Sequence, residues 1–140
     1  MDRVALLAGS PLFEMLSNQE LEAICALLTP KTLAAGSTIF IEGALGDGLY
    51  LVAAGEVEVF HSSRNGPLAT LGAGECFGEM ALVDKDYRSA TVKAHTDVEL
   101  LHLSPEGLAT FRKDNKDGFG FLVMNIARLL SVRLREANRH

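Results

Sequence analysis

Phe77-Gly78-Glu79-Met80-Ala81-Leu82, five further residues, then Arg88-Ser89-Ala90-Thr91-Val92 is the stretch around which the rest of the chain is organised. A glycine turn opens a short apolar segment headed by a carboxylate. Nine residues after that carboxylate comes an arginine, and small residues then lead into a β-branched run. Gly78 allows a positive φ and a close backbone approach to a ligand. The helix-like run from Glu79 to Val83 would present free N–H groups at its start, where an anion is stabilised. Arg88 can grip a phosphate through two parallel hydrogen bonds, and Glu79 can accept from a sugar hydroxyl. A carboxylate beside an anion site makes sense only for a ligand that also carries hydroxyl donors, which points to a phosphorylated sugar. An ordinary surface ion pair is the plainer reading, but the surrounding glycine pattern argues against it.

Outward from this stretch the chain changes period twice. Residues 2–29 read as helical: Ser10-Pro11 has the form of a cap and first helical residue, and Ser17 with Glu20 has the form of a capping box. Leu12, Phe13, Leu16, Leu21, Ile24, Leu27 and Leu28 recur mostly at spacings of three and four, giving an apolar stripe. From Lys31 to Ser104 the chain becomes short β segments punctuated by glycine, as in a jelly roll. Strands are expected at 38–41, 49–52, 56–60, 68–71, 89–94 and 98–103, with Gly46-Asp47-Gly48 and Arg64-Asn65-Gly66-Pro67 as turns. With these six, the roll is expected to hold about eight strands in all, interrupted once by the opening stretch. Ser104-Pro105 starts a further helix that ends in the polar run from Lys113 to Gly118. A last helix is expected from about Phe119 to Asn138, with Leu122, Ile126, Leu129, Leu130 and Leu134 on its apolar face. The fold class is therefore α+β. An antiparallel eight-stranded jelly roll (residues 31–104) lies between N-terminal helices (2–29) and C-terminal helices (105–138) in a single domain spanning 1–140.

The opening stretch closely resembles the phosphate-binding cassette of the cyclic nucleotide-binding domain, the module of the catabolite activator protein, the protein kinase A regulatory subunit and cyclic-nucleotide-gated channels. Glu79 and Arg88 stand at the family spacing, and the run from Gly46-Asp47 through Tyr50, Val52, Gly55, Val57 and Val59 matches a second family pattern upstream. Tyr87 departs from the pattern, since many members carry proline there. The resemblance covers nearly the whole chain and implies a double-stranded β-helix with a short phosphate-binding helix. It implies that Glu79 takes the ribose 2′-hydroxyl and Arg88 the cyclic phosphate, with Phe77 and Gly78 in the cassette. Backbone groups of Met80, Ala81, Ser89 and Ala90 would complete the cradle. It also implies a final helix that caps the base, with Arg133 or Arg135 as candidates to stack on a purine. Ser89 occurs at this place in cyclic AMP binders of the family, which favours cyclic AMP over cyclic GMP. The same helix would carry a homodimer contact or the link to a downstream effector.

Composition removes other classes. With 48% hydrophobic and 22% charged residues the chain supports a packed core, and its net charge of −5 leaves no general basic footprint for nucleic acid. No helix-turn-helix is expected beyond the last helix, so no direct DNA contact is expected. Cys25 and Cys76 are too few and too far apart for a disulfide framework, and read as reduced thiols of a cytoplasmic protein. No apolar run approaches the ~18 residues of a membrane span, and Met-Asp-Arg-Val does not open a secretion signal. His61, His95, His102 and His140 are scattered without His-x-His, which disfavours a metal-dependent jelly-roll enzyme. Ser62, Ser63 and Ser89 have no base partner identifiable in the sequence. The expectation is a non-catalytic sensor needing no cofactor beyond its nucleotide ligand. The alternatives are a regulatory piece of a larger channel, kinase or transcription regulator, and a nucleotide-free interaction domain of the same fold.

Overall fold

The computed structural model describes residues 2–78 and 87–137. Helix α1 (Arg3–Ala8) and a 3-10 turn (Pro11–Phe13) precede α2 (Asn18–Leu27). Eight described strands follow: β1 (Thr29–Leu33), β2 (Thr38–Phe40), β3 (Leu49–Ala54), β4 (Val57–Phe60), β5 (Ala69–Leu71), β6 (Cys76–Phe77), β7 (Thr91–Ala94) and β8 (Val98–Leu103). Helices α3 (Pro105–Asp114) and α4 (Lys116–Ala137) close the order. The strands form two antiparallel four-stranded sheets, β1-β8-β3-β6 and β2-β7-β4-β5. That arrangement is consistent with a jelly roll.

Local chemistry sets the helix starts. Ser10 Oγ accepts from Leu12 N–H ahead of Pro11. Ser17 Oγ accepts from Glu20 N–H while Glu20 Oε1 accepts from Ser17 N–H, which completes the expected capping box. Ser104 Oγ caps α3 by accepting from Gly107 N–H at 3.0 Å. The N-terminal helical region is thus three separate pieces, with starts at both the Ser10-Pro11 and Ser17 positions read from the sequence.

Strand β3 shows why the roll and the helices form one body. Leu49, Tyr50, Leu51 and Val52 are all buried, as an apolar run without alternation requires when both faces are covered. Leu49 and Leu51, with Leu101 and Leu103 of β8, face a core built from Leu12, Phe13, Ile24, Phe111, Leu122 and Ile126. Tyr50 and Val52, with Val98 and Leu100, face the interior of the roll against Val57, Val92 and Phe77.

Strands β1 and β6 lie outside the expected set, and several boundaries differ from the sequence reading. Strand β7 starts at Thr91, so Ser89 and Ala90 lie in the bend before it. Helix α4 starts at Lys116, three residues before the expected Phe119, because Asn115 alone breaks the chain at φ −138°, ψ 66°. Gly118 then sits inside α4, where the helix presses on Glu20 and Phe111. The short helix expected from Glu79 to Val83 falls outside the described residues.

Candidate functional site

Arg88 is the centre of the site, and it is only 7% exposed. A buried guanidinium demands partners, since an unpaired charge away from water is costly. Three separate segments supply them. Nη2 donates to Asp47 Oδ1 at 2.6 Å and to the Gly48 carbonyl at 2.9 Å, both in the loop before β3. Nη1 donates to the Gly78 carbonyl at 3.3 Å, at the end of β6. The guanidinium carbon lies 4.0 Å above the ring of Phe40 on β2, a contact suited to a planar cation. The Arg88 backbone is held as firmly: its N–H donates to the Ala44 carbonyl at 2.7 Å and its carbonyl accepts from Gly43 N–H at 2.8 Å. Tyr87, the residue before it, bridges antiparallel to Leu45.

Gly78 is needed where it stands. Its φ is +77°, and a Cβ there would lie 2.6 Å from Arg88 Nη1. The turn at the head of the cassette is thus the surface against which the arginine rests. Phe77 beside it is buried and stacks on Tyr50, with centroids 5.2 Å apart and planes 7° apart.

Asp47 is the residue that the sequence reading missed, having taken Gly46-Asp47-Gly48 as a turn. Its Oδ2 accepts from the Tyr50 hydroxyl at 3.0 Å while Oδ1 holds Arg88. Partial burial pushes its carboxyl up, but the hydrogen bonds from Arg88 and Tyr50 outweigh that and hold it below the usual carboxylate range. Burial, with the Asp47 charge added, pushes the Tyr50 phenol up to about 12, so it stays a donor. His102 joins from β8 with Nε2 2.7 Å from the Asp47 carbonyl oxygen, and its ring stacks on Tyr50 at 4.5 Å. No local signal ties Asp47 to an arginine 41 residues on. The only sequence-level hint is a carboxylate in a glycine turn within the second family pattern.

The arrangement leaves the Nε donor unused. Of the five N–H groups of a guanidinium, that on Arg88 Nε is buried without a hydrogen-bond partner among the described residues. A buried cation with an unused donor, balanced among the described residues by one carboxylate, is chemically suited to an incoming anion. Ser89 is exposed and Ala90 half-buried, directly after Arg88. Glu79, Met80 and Ala81 lie outside the described residues, as does the side chain of Arg133. Arg135 is exposed and its Nε donates to the Ser131 carbonyl of its own helix at 3.4 Å. Among the described residues no group of three or more His, Cys, Asp or Glu could hold a metal ion. No described helix is long and apolar enough to cross a membrane.

The chain is similar to known proteins in sequence and in fold. The sequence model of the cyclic nucleotide-binding domain matches residues 30–115. The chain is 42% identical over 134 residues to the cyclic AMP receptor protein of Thermus thermophilus, covering 93% of this chain and 60% of that protein. It is 41% identical over 103 residues to the cAMP-dependent protein kinase regulatory subunit of Aspergillus fumigatus, covering 74% of this chain and 25% of that protein. Among solved structures, the N-terminal domain of a transcriptional regulator from Streptomyces coelicolor superposes with a TM-score of 0.82 at 35% identity, covering 95% of this chain and 94% of that one. The chain therefore spans under two thirds of the length of either curated relative.

Proposed function

This chain belongs to the cyclic nucleotide-binding domain family, and on that premise we propose that it is a cyclic AMP sensor that binds its ligand without transforming it. The observation that carries the proposal is the buried Arg88 with its unused Nε–H, resting on Gly78 and balanced by Asp47. An in-ring phosphate carries the single charge and paired oxygens that such a fork binds. Glu79 takes the ribose 2′-hydroxyl, and Met80, Ala81, Ser89 and Ala90 line the phosphate. The lean toward cyclic AMP rests on Ser89 and on the names of the two curated relatives. The output is the position of α4, which a ligand shifts only by binding one arrangement better than the other. Helix α4 is clasped to the 3-10 turn region by Asn125, whose Nδ2 donates to the Leu12 and Glu14 carbonyls at 2.9 and 2.8 Å.

The share of each relative covered favours a further reading, that this sensor works as the regulatory part of a larger assembly whose effector responds to α4. Calorimetric titration of the purified chain with cyclic AMP, cyclic GMP and linear 5′-AMP tests the core proposal. Micromolar or tighter binding of cyclic AMP is expected. Arg88→Lys, which keeps the charge but loses the fork, should weaken it by about 2–4 kcal/mol. A folded parent that ignores all three nucleotides would instead favour a nucleotide-free interaction domain.

A further inference from the structure

We propose that His102 is a positioning residue of the phosphate site, and that its protonation tightens the grip of Arg88 on an anionic ligand. This rests on the reading of that site as a cyclic nucleotide pocket. His102 is 8% exposed and lies on the inner face of β8, across from Tyr50 of β3. The three oxygens of Asp47 have three different holders. Its carbonyl meets His102 Nε2 at 2.7 Å, Oδ2 takes the Tyr50 hydroxyl, and Oδ1 takes Arg88. His102 therefore fixes the backbone of the loop whose side chain and Gly48 carbonyl hold the guanidinium.

The hydrogen-bond partner decides the tautomer. A carbonyl can only accept, so Nε2 carries a proton in every charge state, and titration takes place at Nδ1. Protonation thus adds a charge behind Asp47 without breaking the contact that orders the loop. The Arg88–Asp47 pair sums to zero, so an imidazolium 4.0 Å from Asp47 Oδ2 adds one positive charge to that pair. A cyclic phosphodiester keeps its single negative charge across the range in which histidine titrates.

The groups around His102 are Asp47 from the loop before β3, Tyr50 from β3, Arg88 through Asp47, and Lys31 from β1, whose ammonium lies 5.7 Å from the Tyr50 ring centroid. Of these residue types, histidine is the one whose ordinary range lies between about pH 5.5 and pH 8. A second histidine must be separated from it. His61 sits 3.7 Å from Glu42, next to the loop that clamps the Arg88 backbone.

The test is cyclic AMP titration of the parent, His102→Gln and His61→Gln at about pH 8, 7 and 5.8, bracketing the histidine range. The parent should bind about three- to tenfold more tightly at the lowest pH than at the highest. His61→Gln should follow the parent. His102→Gln keeps an N–H for the Asp47 carbonyl but has no group that gains a proton, so whatever its affinity at high pH, that affinity should stay flat as pH falls. A merely structural His102 would not move the slope. In the unmutated chain, the His102 ring resonances should titrate at higher pH with cyclic AMP bound than without, by reciprocity. A slope retained by His102→Gln, an unchanged ring titration, or a parent that binds with no pH dependence overturns the proposal alone. A folded parent that binds no cyclic AMP at any pH overturns the pocket reading, and this inference with it.

Discussion

At the scale of single residues, the site is an arginine held in place before any ligand arrives, and the holders are as informative as the arginine. Gly78 accepts the Nη1 hydrogen bond through its carbonyl and leaves room for the guanidinium by having no side chain. Gly78→Ala should therefore weaken cyclic AMP binding about tenfold or more by displacing Arg88, and lower stability by about 1 kcal/mol through the positive φ. Calorimetry and a urea midpoint would report the two effects separately. Asp47 makes a pH prediction with a definite sign. Its folded-state carboxyl is lowered, so the stability it contributes is present above the unfolded-state value and is lost as pH falls through the folded one. Urea unfolding of the parent between about pH 5 and pH 2 should show this loss on top of other carboxylates, and Asp47→Asn should show a shallower fall. Because the Asp47 side chain is 56% exposed, the difference should be modest. An acid limb as steep in Asp47→Asn as in the parent would mean that the pair contributes nothing to folding.

At the scale of elements, most of what could be read from the sequence was local. The Ser17–Glu20 box and the Ser104-Pro105 start are hydrogen-bond patterns contained within four residues, and both appear as read. Six of the eight described strands were legible because glycines punctuate short apolar runs, whereas the mostly exposed β1 and the two-residue β6 carry no such pattern. The start of α4 was not, because a polar stretch from Lys113 to Gly118 looks like a loop until Asn115 alone is found to interrupt two helices. Asn125 was equally hidden. It looks like a surface residue one place from Ile126, yet it is 2% exposed and clasps carbonyls more than a hundred residues earlier. Pairings of that kind depend on the finished fold, which no local pattern encodes. The α2–α4 contact gives a prediction that opposes helix propensity. Replacing a helical glycine by alanine ordinarily gains about 1 kcal/mol. At Gly118, however, a Cβ would come within 2.7 Å of Glu20 Oε2 and 2.9 Å of the buried Phe111 ring. Glu20 is the partner of Ser17 in the capping box, and Phe111 cannot move without disturbing the core. Gly118→Ala should thus be destabilising, by about 1–3 kcal/mol in chemical denaturation. A stabilised variant would show that α4 stands further from α2.

At the scale of the whole molecule, the central strands β3 and β8 of the sheet β1-β8-β3-β6 are covered on both faces. Leu49, Leu51, Leu101 and Leu103 bury one side against the helices, while Tyr50, Val52, Val98 and Leu100 bury the other inside the roll. Neither layer can melt without stripping a face of the same strands. The helices and the roll should therefore unfold together. A ligand that binds only the folded state at Arg88 then stabilises everything at once, although its contacts lie at one end of the roll. At a hundred times Kd that stabilisation is about 2.7 kcal/mol. For 140 residues the entropy of unfolding converts this into a rise in Tm of about 9 °C. Far-ultraviolet dichroism reports mainly the helices and near-ultraviolet dichroism the tyrosine and phenylalanine stack of the roll. Both should shift by the same amount with cyclic AMP, and Arg88→Lys should show little shift at the same concentration. A helical signal that melts first and stays put while the aromatic signal moves would mean that α4 is not coupled to the site through the shared sheet, and that its position cannot be the output of binding.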